Sequence, residues 1–132
     1  MNFQDFISKI NGTRFTNTIS EIITPSDSVN ITNAQYIERN GVVQLYIRWT
    51  NKTAISAGAD GNITNIIIGN LVFGKHPKFA TVGTSYGDEG GPAFYLLENN
   101  GKLQMGAVGG TGANRTIATG TVFHLGMTWV AP

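Results

Sequence analysis

Cysteine is absent from this chain. Its absence excludes a disulfide framework and any metal site built on thiolates, so the fold must be held together by core packing or by association of subunits. Charge is scarce as well, because only 13% of the 132 residues are charged and the net charge is +1. Nucleic-acid backbones are bound by concentrated positive surfaces. We therefore expect no nucleic-acid partner.

Long apolar runs are also missing. No segment approaches the ~18 apolar residues of a membrane span, and the first six residues lack the basic start and apolar stretch of a signal peptide. We expect neither membrane insertion nor export by a cleaved signal. The length suits one domain with one hydrophobic core.

One stretch has a helical period. Apolar residues recur at i, i+3, i+4 and i+7, at Phe3, Phe6, Ile7 and Ile10. Asn2 can cap the start and Gly12 can end the helix. Because about two turns are marginal alone, this stripe must dock on the domain's own sheet or on identical helices of neighbouring subunits. Residues 13–31 are ambiguous between a strand and a second helical turn.

The rest of the chain alternates in the manner of strands. Asn40-Gly41 and Asn99-Asn100-Gly101 predict tight hairpin turns. Further strands are predicted at 79–86, 93–97, 102–108, 116–118 and 122–130. We expect an all-β fold, an antiparallel β-sandwich or jelly-roll with a short N-terminal helix. Residues 1–33 are predicted to be the helix and a connecting neck or docking segment, and residues 34–132 the β-sandwich head domain.

The alternation also assigns faces to the strands. In the second strand of the first hairpin, the residues expected in the core are Val43, Leu45, Ile47 and Trp49. Trp129 is expected in the core as well, and His124 is expected to point away from it. Three consecutive isoleucines at 66–68 predict burial on both faces, which a second copy would supply. The predicted interface of a homotrimer comprises Phe3, Phe6, Ile10, Ile66 and Ile68.

No catalytic set is evident. Residues 87–92 resemble the Gly-Asp-Ser-Gly-Gly-Pro signature of trypsin-like proteases, but Glu89 occupies the position of the nucleophile. A carboxylate cannot replace a base-activated hydroxyl, and neither His76 nor His124 has the expected context. Asp60-Gly61-Asn62 lacks the further ligands of a calcium loop. We therefore expect no enzyme activity, no metal and no cofactor.

A binding role is chemically better supported. Asp88 and Glu89 stand beside Tyr86 in a Gly-rich loop, and carboxylates next to an aromatic ring suit the hydroxyls and the C–H face of a sugar. A solvated loop is the alternative reading. The candidate saccharide ligands are Tyr86, Asp88, Glu89, Arg115, His76 and His124.

The order of these patterns resembles a known family. The resemblance rests on the hairpin run 40–49, the segment 66–71, Lys75-His76-Pro77-Lys78, the run 94–103 and a closing aliphatic-aromatic strand. In this order they resemble the C-terminal head (receptor-binding) domain of bacteriophage tail-tip proteins over residues 34–132. Members of that family generally carry a longer shoulder before the head.

The resemblance implies a homotrimeric head in the virion, at the tail tip, tail fibre or baseplate, which adheres to the host through cell-wall saccharide. The N-terminal helix would correspond to a neck or docking segment. The alternative is a structural baseplate connector or accessory subunit that contacts only other tail or baseplate proteins, through the stripe of Phe3, Phe6 and Ile10.

Overall fold

The computed structural model describes residues 13–56, 63–72, 81–87, 91–107 and 116–131. The elements of this part are β1 Thr13–Thr16, α1 Ile19–Ile22, β2 Ile23–Pro25, β3 Val29–Arg39, β4 Val42–Asn51, β5 Ile55–Ser56, β6 Ile63–Leu71, β7 Thr81–Gly87, β8 Gly91–Leu97, β9 Lys102–Ala107, β10 Thr116–Ile117 and β11 Val122–Val130. The predicted all-β, sandwich-like class is confirmed. The helix predicted within residues 1–12 lies outside the described residues.

Nine of these strands form one antiparallel sheet in the order β1-β3-β4-β11-β7-β8-β9-β6-β2, and β5 pairs with β10 in a separate ribbon. The sheet folds over on itself. Trp49 on β4 donates its Nε1–H to the hydroxyl of Tyr95 on β8 at 2.9 Å. In a flat sheet these strands, three places apart, would be separated by about 14 Å. The bond therefore requires the two halves of the sheet to face each other across the core.

The core confirms the predicted faces of β4. Val43, Leu45, Ile47 and Trp49 are all 2% exposed or less. Trp129 is also buried, whereas His124 is exposed, as predicted. Trp49 stacks on Phe123 of β11 with the ring centroids 4.5 Å apart.

Both predicted hairpins are present. Arg39 pairs with Val42 across Asn40 and Gly41, whose φ angles of 51° and 79° are those of a two-residue type I′ turn. The second hairpin closes between Glu98 and Lys102, where the amide of Glu98 donates to the carbonyl of Lys102 at 2.9 Å. Its three-residue loop ends on Gly101 with φ 91°.

The segment before residue 34 contributes to the same sheet. β1 pairs with β3, β2 pairs with β6, and Ile22 of α1 is fully buried in the core. The boundary predicted between residues 33 and 34 falls inside β3. Within the described part of the chain, residues 13–33 therefore share one core with the later strands.

The isoleucine segment is only partly as expected. Ile68 is fully buried by its own chain and has no surface left for a second copy, while Ile66 is half-buried and packs against the same core. Ile67 is half-buried too. A register shift between Ile67 and Gly69 marks a β-bulge in β6.

We expect Tyr95→Phe to lower the free energy of unfolding by about 1–3 kcal/mol, because the indole N–H of Trp49 would be left buried without this acceptor. Chemical denaturation followed by Trp fluorescence measures the change. Tyr46→Phe is the matched control, because it removes a hydroxyl from an exposed hydrogen bond and should stay within about 0.5 kcal/mol. Equal losses for the two variants would refute a special role for the buried bond.

Candidate functional site

The sheet has two distinct ends. At the first, which we call the loop end, Gly87 pairs with Gly91 and Ile63 pairs with Ala107. At the second, the hairpin end, Arg39 pairs with Val42 and the hairpin between β8 and β9 turns. The connections that leave the loop end carry three of the six residues predicted to bind saccharide, Asp88, Glu89 and Arg115.

The candidates Asp88, Glu89, Arg115 and His76 lie outside the described residues, but the residues that bracket them are described. Gly87 and Gly91 bracket the acidic pair at the loop end. The segment with Arg115 follows Ala107 at the same end and leads into β10. The strand ends on either side of the segment with His76 lie at the hairpin end. There the amide of Leu71 donates to the carbonyl of Gly101, and Thr81 pairs with Leu97. Within one chain, the strand ends that bracket the acidic pair and those that bracket His76 are at opposite ends of the sheet.

The two remaining candidates are neighbours. Tyr86 of β7 is the register partner of His124 of β11, one residue from the loop end. His124 is exposed on the outer face of the sheet, which is the face turned away from the core. Its Nδ1 lies 2.8 Å from the hydroxyl of Tyr46 on β4, and the two rings are 6.1 Å apart at an angle of 29°. Such diagonal cross-strand contacts lie within reach of aromatic side chains.

Arg48 lies next to this pair. It is the register partner of His124 on β4, and its Nη1 donates to Thr32 Oγ1 at 2.8 Å. The Thr32 hydroxyl in turn donates to the Arg48 carbonyl at 3.1 Å. Thr32 lies where the β3–β4 register shifts, between Ile31 and Asn33. This bond holds the guanidinium on the outer face, on the side of β4 that borders β3.

Gly126 lies on the outer face of β11, beside Tyr46 and His124. It is the register partner of Tyr46, is exposed, and would have no heavy atom within 4 Å of an added Cβ. The backbone of β11 is therefore accessible between the side chains of neighbouring rows. We call Tyr46, Arg48, His124 and Gly126 the outer-face site.

The charge of this face is one-sided among the described residues of β3, β4 and β11. Arg39 and Arg48 lie on it, whereas Glu38 lies on the other face, where it accepts a hydrogen bond from the hydroxyl of Tyr36 at 3.0 Å. Burial, with a further contribution from Glu38, raises the pKa of Tyr36 far above its ordinary value. Tyr36 is therefore a neutral hydroxyl at physiological pH and not a reactive phenolate.

The described residues offer binding chemistry. The outer-face site combines aromatic rings, imidazole and guanidinium donors and open backbone, whereas no group of three or more His, Asp or Glu in the described ranges could hold a metal ion. No helix within these ranges is long and apolar enough to cross a membrane.

A groove of about 580 Å³ between α1 and β2 is lined by Asn17, Thr18, Ile19, Ser20, Ile23, Thr24 and Pro25. β2 is an edge strand that pairs with β6, and the bonds Val72 N–H to Ile22 O and Ser26 N–H to Ile68 O flank this pairing. On its free side, the amide of Ile23 already donates to the carbonyl of Ile19, and Pro25 has no N–H. This edge therefore cannot donate backbone hydrogen bonds to an added strand.

The sequence predicted His124, which belongs to the outer-face site, and Tyr86, its register partner, but not Tyr46, Arg48, Thr32 or Gly126. The alternation in β4 assigned Tyr46 and Arg48 to the face opposite the core. What it lacked was the pairing of β4 with β11, which brings together residues 78 positions apart along the chain. No family model matches this chain, and no curated protein matches its sequence.

Proposed function

We propose that this protein is a non-catalytic receptor-binding head of a bacteriophage tail tip, tail fibre or baseplate, which binds host cell-surface saccharide as a homotrimer. The observation that carries the proposal is the exposed hydrogen-bonded pair of Tyr46 and His124, flanked by Arg48 and by the bare backbone at Gly126. The sandwich-like fold and the family resemblance of residues 34–132 support the same conclusion.

The chemistry of this site suits a sugar ring. The apolar C–H face of a pyranose packs on an aromatic ring, and its hydroxyls need donors and acceptors placed around that ring. The Tyr46 ring offers the packing surface. When the Tyr46 hydroxyl donates to Nδ1, the Nε2–H of His124 is a donor, and Arg48 supplies further donors. The absence of a side chain at Gly126 leaves room for the ring to approach the sheet.

A shallow site of this kind binds weakly, and subunit number compensates for weak binding. When three copies are linked rigidly, the second and third contacts to the same surface become intramolecular and the avidity exceeds the single-site affinity by orders of magnitude. Trimerisation would therefore turn a weak saccharide contact into firm adhesion. Gly87 and Ala107, the strand ends that precede the segments with Asp88, Glu89 and Arg115, lie at the loop end, which adjoins the outer-face site.

The test is binding to an array of bacterial cell-wall saccharides, with the mass in solution measured by sedimentation. We expect the wild-type protein to bind at least one wall saccharide, and Tyr46→Ala with His124→Ala to weaken binding about tenfold or more, or about 1.4 kcal/mol. The control is Thr24→Ala, at an exposed position on the edge strand β2; it should leave binding unchanged. Asp88→Ala with Glu89→Ala tests the loop contribution separately.

Two results would count against the proposal. Folded protein that binds no saccharide on the array would favour the structural connector, which contacts only other tail or baseplate proteins. Equal losses for Thr24→Ala and the double variant of Tyr46 and His124 would move the site away from Tyr46 and His124.

A further inference from the structure

The outer-face site is an open surface on the sheet. Gly126 and His124 are exposed, and Tyr46 between them and β3 is half-buried. Sites that hold one small molecule are usually concave and cover most of its surface. A sugar unit that lies on an open sheet face is contacted from one side only, so each unit gains little. Firm binding here requires several linked units.

A second set of polar groups lies on the β3 side of the Tyr46 ring. Gln35 is the register partner of Tyr46, and Asn33 is the register partner of Arg48. Both β3 residues are exposed, and neither side-chain amide makes a hydrogen bond within the described part of the chain. The bond to Thr32 draws the Arg48 guanidinium toward the same side. The site therefore extends over β3.

The two sides are joined by one row of the sheet. Gln35, Tyr46 and Gly126 are register partners across β3, β4 and β11. Two strand spacings make this row about 10 Å long, which is longer than a single pyranose ring. Toward the hairpin end the outer face becomes apolar, because Val42 and Val130 are 39% and 71% exposed. Groups that can bind hydroxyls thus continue across the strands and not along β4 toward the hairpin end.

We propose, on the basis of the function proposed above, that the outer-face site binds at least two consecutive units of a saccharide chain laid across β11, β4 and β3. One unit lies on the β11 side of the Tyr46 ring, at His124 and Gly126. The next unit lies on the β3 side, at Gln35 and Asn33. A side-chain amide carries both donors and an acceptor, so each can bind sugar hydroxyls in either role. The ligand class is therefore an oligomeric or polymeric saccharide and not a single sugar.

Competition by fragments of defined length tests this inference. A wall polysaccharide that the wild-type protein binds on the array is cleaved by mild acid, and the fragments are separated by length. Each fraction then competes with the intact polysaccharide for the full chain. We expect single sugar units to compete about tenfold less well than fragments of several units, because a single unit fills one side of the site.

Gln35→Ala tests the β3 side directly. It should weaken the binding of long fragments several-fold and leave the binding of single units unchanged. The matched control is Gln44→Ala, which removes the same amide two residues from Tyr46 along β4, in the row of Ile37. Both glutamines are exposed, so both variants should fold. The control should leave binding unchanged at every fragment length.

Two results would overturn the two-unit site while saccharide binding persists. The first is equal competition by single units and by long fragments. The second is an equal effect of Gln35→Ala and Gln44→Ala on the binding of long fragments. Folded wild-type protein that binds no saccharide at all is a different failure, which overturns the proposed function and the two-unit site together.

Discussion

Gly69→Ala is expected to lower the free energy of unfolding by about 3 kcal/mol, the upper end of the usual range for substitutions that overpack a core. A Cβ at this position would overlap the backbone carbonyl oxygen of Thr24 and come within 3.0 Å of the Ile23 side chain. The carbonyl cannot move away cheaply, because Ser26 ties this segment to β6. The amide of Ser26 donates to the Ile68 carbonyl at 2.9 Å, and the Ser26 hydroxyl donates to the Ile67 carbonyl at 2.5 Å.

Gly126→Ala is the matched control. Gly126 also lies in a strand of the main sheet, yet an added Cβ would have no heavy atom within 4 Å. Its stability should change by no more than about 0.5 kcal/mol. Urea denaturation of both variants gives the comparison, and similar stabilities would show that β2 does not pack on the bulge of β6 as described.

The long strands could be predicted from the sequence because each carries its own evidence. β4 alternates apolar and polar residues over most of its length, and β11 does so from residue 122 to residue 130, the observed bounds. Asn40-Gly41 fixes the register of the β3–β4 hairpin through turn geometry alone. These features are local, so no tertiary information was needed.

The edges of the sheet could not be predicted in the same way. β1 and β2 have four and three residues, too few to show a period, and α1 is a single turn. Their conformation is fixed by partners far along the chain, since β2 pairs with residues 69–71. The bulge at Gly69 likewise occurs where β2 pairs with β6, and the run of isoleucines gives no sequence signal for it.

The candidate site shows the same limit. His124 was found because it is a polar, titratable residue within an apolar alternation. Arg48 and Tyr46 gave no such signal, because their role depends on β4 pairing with β11. The pairing of strands far apart along the chain therefore could not be predicted from the single sequence.

Asn51→Asp is expected to destabilise the protein by about 3–5 kcal/mol, because it buries a charge and removes two donated hydrogen bonds. Asn51 is 3% exposed, and its Nδ2 donates to the carbonyls of Thr53 at 2.8 Å and Ala118 at 3.0 Å. The backbone carbonyl of Asn51 accepts a hydrogen bond from the amide of Gly120 at 3.0 Å. The Asn51 side chain thus joins the segment that leads to β5 and the segment that follows β10.

Asn30→Asp, at an exposed position on β3, is the control and should change stability by no more than about 0.5 kcal/mol. Hydrogen exchange should also report faster opening at residues 52–56 and 116–121 in Asn51→Asp and not in the control. Exchange that is unchanged in these segments would contradict the linking role of Asn51.

The deficit of Asn51→Asp should depend on pH with a definite sign. Burial beside two carbonyl oxygens favours the neutral acid, so the pKa of the introduced carboxyl is raised in the folded state above its unfolded value of about 3.9. The unfolded state then releases its proton first, and the deficit is largest above the folded pKa. As the pH falls toward 4 the protonated carboxyl regains one donor, and the deficit relative to wild type should shrink. A deficit that is constant between pH 7 and about pH 4 would show that the carboxylate is solvated and that the amide at position 51 is not an essential donor.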